Sequence, residues 1–372
     1  MQTTARPGGL PILGALSPFG RVAVLATLGV SVVTIVLDVV LHLENPTALF
    51  VASAVAILGL AWIIGLSTER LGALVGPHAG GVLNATFGNI AELIIAFFAL
   101  QAGLIDVVKA SITGSIIGNL LLVLGGSVLA GGLRHGTQVF SARVAGSNAA
   151  LLVVAAIGLF VPAIFALTSP DRSAGTLTEE SVIVSVLLIV GYVLSLVYAF
   201  TNPERVLGAD EGPSGHAGPE WSRTVAVVVL LVSAGLLAVL SEILVSTIEP
   251  FIATFGLSAA FVGIVIIPTI GNLAEHLVAV QLALRNRMEF AMAVTFGSSL
   301  QVALFVGPVL VIVGALLGQP MNLVFHPLEV AAVAAAVGIS ALIALDGESN
   351  WLEGALLIIV YVVLAGSFFE LG

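Results

Sequence analysis

Apolar stretches of about twenty residues, separated by short breaks that carry charge, proline or glycine, occupy almost the whole chain. Roughly 20 such residues carry a helix across the hydrocarbon core of a bilayer. On that rule the pattern predicts eleven spans, at about 21–42, 47–67, 80–101, 107–130, 147–168, 180–201, 223–247, 258–284, 290–317, 322–345 and 351–370. The predicted fold class is an all-α integral membrane protein with eleven transmembrane helices. Residues 202–222 form the one substantial polar connection, and no other stretch is polar enough for a soluble domain.

Composition supports this reading. Of 372 residues, 59% are hydrophobic and 9% charged, whereas a soluble domain carries roughly 25% charged residues. The sequence lacks the polar skin of a soluble core, so a lipid bilayer is its expected solvent. Charge then orients the spans. With eleven crossings, Arg6, Arg21, Arg70, Arg134, Arg143, Arg205, Arg223, Arg285 and Arg287 fall on one side, and Lys109 and Arg172 on the other. The positive-inside rule puts residues 1–20 in the cytoplasm and the C-terminus outside. No cleaved secretory leader is expected, because the apolar run after residue 20 is too long for one. The net charge of −10 argues against a nucleic-acid partner, and the lack of cysteine excludes disulfides and thiolate metal sites. The 202–222 loop is cytoplasmic on this count. Its Glu204, Asp210, Glu211 and Glu220 lack EF-hand spacing, which suits a flexible acidic linker, with a cation-gathering surface or calcium sensor as the alternative.

The chain also repeats itself. Gly88-Asn89-Ile90-Ala91-Glu92 recurs 183 residues later as Gly271-Asn272-Leu273-Ala274-Glu275. The same offset carries Thr86 onto Thr269, Asp106 onto Glu289, Gly114-Ser115 onto Gly297-Ser298 and Gly131 onto Gly314. One N-terminal helix, 21–42, is therefore followed by two five-helix repeats, 47–201 and 223–370. Five crossings is an odd number, so the second copy enters the membrane from the opposite face and the repeats are inverted. Inverted repeats with a site near the midplane are an architecture of secondary transporters.

Glu92 falls near the middle of the third span and Glu275 near the middle of the eighth, equivalent positions that a pseudo-twofold axis brings together. An ionised carboxylate at mid-membrane costs at least about 2.5–3.5 kcal/mol, so the pair is expected to share protons or hold a cation. The neighbours suit a hard cation such as Ca²⁺, which takes roughly six to eight oxygens. Carbonyls freed where Gly88 and Gly271 loosen their helices, and the amides of Asn89 and Asn272, are candidates to complete the set. Pro268 is expected to open the eighth helix further. Ser115, Asn119, Ser298, Ser299 and Gln301 supply a second polar layer, in which the repeat pairs Ser115 with Ser298 while Asn119 and Gln301 break its symmetry. His276, next to Glu275, is a candidate for proton coupling or for a gate. Glu69 and Glu242, near ends of the second and seventh spans, are candidate relays. Asp38, Glu329 and Glu353 read as terminal or interfacial.

The segment from Gly80 through Gly88-Asn89-Ile90-Ala91-Glu92 to Leu93 closely resembles the first alpha-repeat motif of the calcium/proton exchangers. Gly271-Asn272-Leu273-Ala274-Glu275-His276, followed by Gly297-Ser298-Ser299-Leu300-Gln301, resembles their second, and the likeness runs from about residue 21 to 370. The resemblance implies an eleven-helix antiporter, not an enzyme, that exchanges Ca²⁺ for H⁺ without an organic cofactor. It implies that Glu92 and Glu275 bind Ca²⁺ and protons, and that His276, Asn89, Asn272, Ser298 and Gln301 line the pathway. The long N-terminal extension of plant members is absent, which points to a prokaryotic plasma membrane. The acidic loop of many members is represented only by scattered acids. Assembly into a homo-oligomer stays open. The nearest alternative is a sodium/calcium exchanger of the same superfamily, and a passive cation channel is a remoter one. The adjacent Glu275-His276 favours protons, and the repeat favours alternating access. An intramembrane hydrolase is excluded, since Asp38 is the one aspartate within a predicted span and no His-Glu-x-x-His occurs.

Overall fold

The structure, a computed structural model, describes residues 16–75, 80, 83, 86–169, 173–202 and 221–370. The expectations for residues 1–15 with Arg6, for Arg172, and for loop residues 203–220 with Glu204, Arg205, Asp210, Glu211 and Glu220 lie outside the described residues. So do Gly81, Val82, Asn84 and Ala85 of the first motif.

Helix dominates what is described. In chain order the helices are α1 (Pro18–Val40), α2 (Pro46–Val75), α3 (Ile90–Gln101), α4 (Ile105–His135), α5 (Ala142–Thr168), α6 (Ala174–Thr201), α7 (Arg223–Ser246), α8 (Ile248–Phe255), α9 (Ala259–Leu284), α10 (Met288–Leu317), α11 (Pro327–Ile343) and α12 (Trp351–Phe369). Nine of these are long and apolar enough to cross a membrane among the described residues; α3 and α11 are apolar but shorter, and α8 is a short extra helix. The count by length therefore falls below the eleven that the apolar pattern predicts.

Local chemistry accounts for the difference. The predicted 80–101 helix is interrupted by a turn at Gly88–Asn89, where Asn89 leaves helical geometry with φ −103° and ψ 27°. The predicted 322–345 helix begins only at Pro327. There His326 accepts from the Leu328 N–H, and Glu329 reaches back to accept from the His326 N–H at 2.9 Å, a closed capping box. Pro327 suits the first position because that N–H has no helical partner anyway. Glu353 closes the same kind of box with Asn350 at the start of α12. Two features lie outside the apolar pattern. One is α8, stopped by Gly256 at φ 63°; the other is an antiparallel pairing of Gln138–Val139 with Glu348–Ser349.

The outward faces are apolar. Leu187 and Leu194 of α6, Leu231 of α7 and Val362 and Val363 of α12 are each more than 60% exposed. Such faces suit lipid, not water. Inside, α2 lies along α7, and α4 lies along α9 and α12. Small residues allow the α4–α9 approach: a Cβ on Gly114 would sit 2.4 Å from the Ile264 carbonyl oxygen, and one on Gly263 would sit 2.4 Å from the Ala110 Cβ. The repeat offset is carried by the elements as well. Helices α3 and α9 end at Gln101 and Leu284, and α4 and α10 begin at Ile105 and Met288, each pair 183 residues apart. π-Helical segments interrupt α4 at Gly118–Val123 and α10 at Val302–Val306, at nearly the same offset.

Backbone-to-backbone contact at Gly114 has a direct test. Gly114→Val is expected to force α4 off α9 at about 1–3 kcal/mol, the usual cost of overpacking, and to lower the thermal unfolding temperature of the detergent-purified protein. Gly191→Ala on α6, where an added Cβ meets nothing within 4 Å, serves as the control and should leave that temperature unchanged.

Candidate functional site

The turn at Gly88–Asn89 restarts the helix so that Glu92 falls in the first turn of α3, at its positive end. Glu92 is only 7% exposed. Asn89 occupies the N-cap position, yet its side chain makes no capping bond and turns to other side chains instead. A carboxylate can only accept, which orients the Asn89 amide with its nitrogen toward Glu92, at 3.1 and 3.3 Å from the two carboxylate oxygens. The same nitrogen lies 3.0 Å from the Ser298 hydroxyl. The Asn89 oxygen then faces the side-chain amide of Gln301, with which it makes a close contact.

Opposite Glu92 stands α9. A Cβ on Gly271 would lie 2.8 Å from the Glu92 Cγ, so the bare glycine makes room for the acid. Asn272 is within reach of the Glu92 carboxylate and approaches the Ser115 hydroxyl at 3.4 Å. Glu275, one turn from Gly271 along α9, is close enough to Glu92 for the two charges to act on each other, and it interacts with Ser298. Asn119 donates to Ser298 at 2.9 Å. Two contacts therefore cross between the halves in matching fashion, Asn89 with Ser298 and Asn272 with Ser115; the two asparagines are 183 residues apart, and so are the two serines. A cavity adjoins this cluster. Glu92, Ser111 and Ser115 supply its polar lining, and Pro268, Val302 and Val306 close it with apolar groups.

Acceptors exceed donors here. Among the described residues, the buried Glu275 Oε2 and Asn272 Oδ1 have no hydrogen-bond partner. Orphaned buried oxygens are costly unless something positive meets them. No group of three or more His, Cys, Asp or Glu side chains gathers anywhere among the described residues, so any cation here relies on two carboxylates plus amide, hydroxyl and backbone oxygens.

The remaining candidates fall into place around this core. Gly88 forms the turn, but α9 runs unbroken through Gly271, so the loosening expected there does not occur. The irregularity lies upstream instead, in the π-helical Val262–Ile266, and Pro268 falls in the first turn after it, where a missing N–H is tolerated. Ser299 bonds to the Thr295 carbonyl of its own helix. His276 is half-buried beside Glu275. Glu69 on α2 and Glu242 near the end of α7 are exposed and lie outside the hydrogen-bonded cluster.

A second polar cluster has no counterpart in the sequence expectations. Lys109 donates to Asn322 Oδ1 at 2.6 Å and to the Val324 carbonyl at 2.9 Å, and Thr113 donates to Glu329 at 2.9 Å. The available signal was the His326-Pro327-Leu328-Glu329 capping pattern, which marks a helix start and hides the contact with α4.

Comparison with known proteins gives the family. The family description "Sodium/calcium exchanger protein" matches residues 45–201 and 225–369, two pieces on either side of the polar loop. A Ca²⁺/H⁺ antiporter of Aphanothece halophytica is 44% identical over 347 residues, covering 88% of this chain and 91% of that protein. The Ca²⁺/H⁺ antiporter ChaA of Bacillus subtilis strain 168 is 41% identical, covering 87% of this chain and 92% of its own. Among solved structures, native YfkE superposes with a TM-score of 0.80 at 36% identity, covering 94% of this chain and 99% of that one.

The two asparagines differ in how fully they are bonded, which gives an expected order of stabilities. Asn89→Leu strands the Gln301 amide and removes donors from Ser298 and Glu92, at about 1–3 kcal/mol per stranded group. Asn272→Ala loses a long contact with Ser115 and its approach to Glu92, strands no other amide, and removes an oxygen that already lacks a partner. Thermal unfolding in detergent should therefore drop further for Asn89→Leu; equal losses would contradict the hydrogen-bond assignment.

Proposed function

The chain belongs to the calcium/proton exchangers within the sodium/calcium exchanger family, and on that footing we propose that it is a secondary active transporter exchanging Ca²⁺ for H⁺, with Glu92 and Glu275 as the shared site. One observation carries the reading. Buried Glu92 and half-buried Glu275, from opposite halves of the chain, lie close enough for their charges to act on each other, and the buried Glu275 Oε2 and Asn272 Oδ1 have no hydrogen-bond partner among the described residues. The names of the relatives supply the ions. The bilayer location follows from the apolar helices, and the bacterial relatives favour a plasma membrane.

The layout proposed is one N-terminal helix followed by two inverted five-helix repeats, 47–201 and 223–370, with the 202–222 loop and the N-terminus in the cytoplasm. Its support is the 183-residue offset shared by motifs and helix ends, and the two matched family segments. In this layout α3 and α11 complete eleven crossings. The mechanism follows from charge. The empty pair carries two negative charges, which the low-dielectric interior penalises; one Ca²⁺ or two protons neutralise it. Rearrangement between inward and outward states is then cheap only when the site is loaded, which couples the two fluxes. Asn89, Asn272, Ser115, Ser298, Asn119 and Gln301 hold and orient the acids. His276, beside Glu275, is the group placed to carry a further proton.

Two tests address this directly. Glu92→Gln and Glu275→Gln keep the side-chain volume and remove the charge, so each is expected to abolish Ca²⁺ uptake driven by a pH gradient in reconstituted vesicles while the protein still purifies folded. Appreciable uptake by either would remove that residue from the mechanism, and uptake driven by a sodium gradient but not a pH gradient would favour the sodium alternative. Protons and Ca²⁺ compete for the same oxygens. Lowering pH should therefore weaken Ca²⁺ binding, and Ca²⁺ added to weakly buffered protein should release protons, whereas an isotherm constant between about pH 6 and pH 8 would contradict a shared site.

A further inference from the structure

The two halves of the site share residues but not hydrogen bonds, and the asymmetry converges on Ser298. A serine hydroxyl has one hydrogen to donate and two lone pairs with which to accept. Ser298 Oγ accepts from Asn119 Nδ2 at 2.9 Å and from Asn89 Nδ2 at 3.0 Å. Both lone pairs are then occupied. The hydroxyl hydrogen is left to the Glu275 carboxylate, the remaining acceptor with which Ser298 interacts. Glu275 lies beside this hydroxyl, and its Oε2 keeps no partner among the described residues.

The other half lacks this lock. Ser115 meets Asn272 at 3.4 Å, and the position equivalent to Asn119 is Val302, which has nothing to donate. Asn119 is 2% exposed and lies in the π-helical segment Gly118–Val123, the kind of local widening that often sits at working sites. We infer that Asn119 is a positioning residue. By filling the second lone pair of Ser298 it directs that hydroxyl onto Glu275 and leaves Oε2 presented to the cation. It touches no ion itself, and its role rests on the reading of Glu275 as a ligand given above.

The test is the Ca²⁺ dependence of initial uptake into vesicles holding the purified full chain, at one fixed pH gradient. Asn119→Val installs the residue of the equivalent position. It is expected to raise the Ca²⁺ concentration for half-maximal uptake about fivefold to tenfold, the weight of one buried hydrogen bond, with the maximal rate within about twofold of the parent. Ser298→Ala should do the same, and the double variant should be no worse than Ser298→Ala alone, because both changes break one chain of bonds. If Asn119→Val does not purify as folded protein, Asn119→Ser, too short to reach Ser298, carries the same expectation. Unchanged half-saturation, additive effects in the double variant, or a fall in maximal rate at unchanged half-saturation would each overturn the assignment. Glu275→Gln separates the two readings: retained uptake in that variant sinks the site itself, whereas lost uptake together with an unaltered Asn119→Val sinks only the role of Asn119.

Discussion

The structure turns on one electrostatic constraint, the placing of two carboxylates, buried Glu92 and half-buried Glu275, among apolar helices. An unpaired charge in such surroundings is far more costly than any single packing contact is favourable. Every irregularity near Glu92 lowers that cost. The turn at Gly88–Asn89 sets the acid at a helix start, Gly271 leaves room for it, and amides from both halves of the chain turn toward it. Compensation is nevertheless incomplete, because Glu275 Oε2 and Asn272 Oδ1 remain without partners among the described residues. A fully satisfied pair would be a structural feature with no reason to move. An under-satisfied one leaves room for a positive partner, which is what the proposed exchange asks of it.

Close packing makes this arrangement possible. Gly114 and Gly263 let α4 and α9 touch backbone to backbone, and that contact sets Ser115, one residue beyond Gly114, against Asn272. The cross-pairs are reciprocal: each half lends an asparagine to the other's serine. Neither half could satisfy its own polar groups alone, so the site exists only where the two meet.

Most of the helices, and the acids themselves, were legible in the sequence, because long apolar runs and a gapless 183-residue offset are strong signals. What escaped was set by side-chain direction. The stop at Gly88–Asn89 goes with an Asn89 amide turned to Glu92 and Ser298, and the late start at Pro327 with a capping box, neither of which an apolar count registers. The glycine equivalence suggested matching breaks at Gly88 and Gly271, yet only the first is broken; Pro268 and a π-helical segment place the irregularity upstream in α9. The cluster of Lys109, Thr113, Asn322 and Glu329 was invisible because its two pairs are more than 200 residues apart in the chain, and Glu329 alone read as terminal or interfacial.

That cluster also bears on how the site is opened. Near its start, α4 is tied to the α10–α11 connection and to α11 through Lys109 and Thr113. At its far end His135 meets the Leu284 carbonyl, and Gln138 just beyond donates to Ala283 at 2.9 Å and to Asn286 at 2.9 Å, capping the end of α9. Between these ties lie Ser115 and Asn119. A helix pinned at both ends to the other half of the chain does not slide freely past it. In the proposed exchange, exposing the acids to either side would then require that one set of ties break, or that α4 and α9 move as a unit against helices with fewer polar links, such as α1 and α6. The second route keeps the Asn–Ser pairs intact while the surroundings change, and it leaves the buried charges bonded throughout, which the cost of an unpaired carboxylate favours.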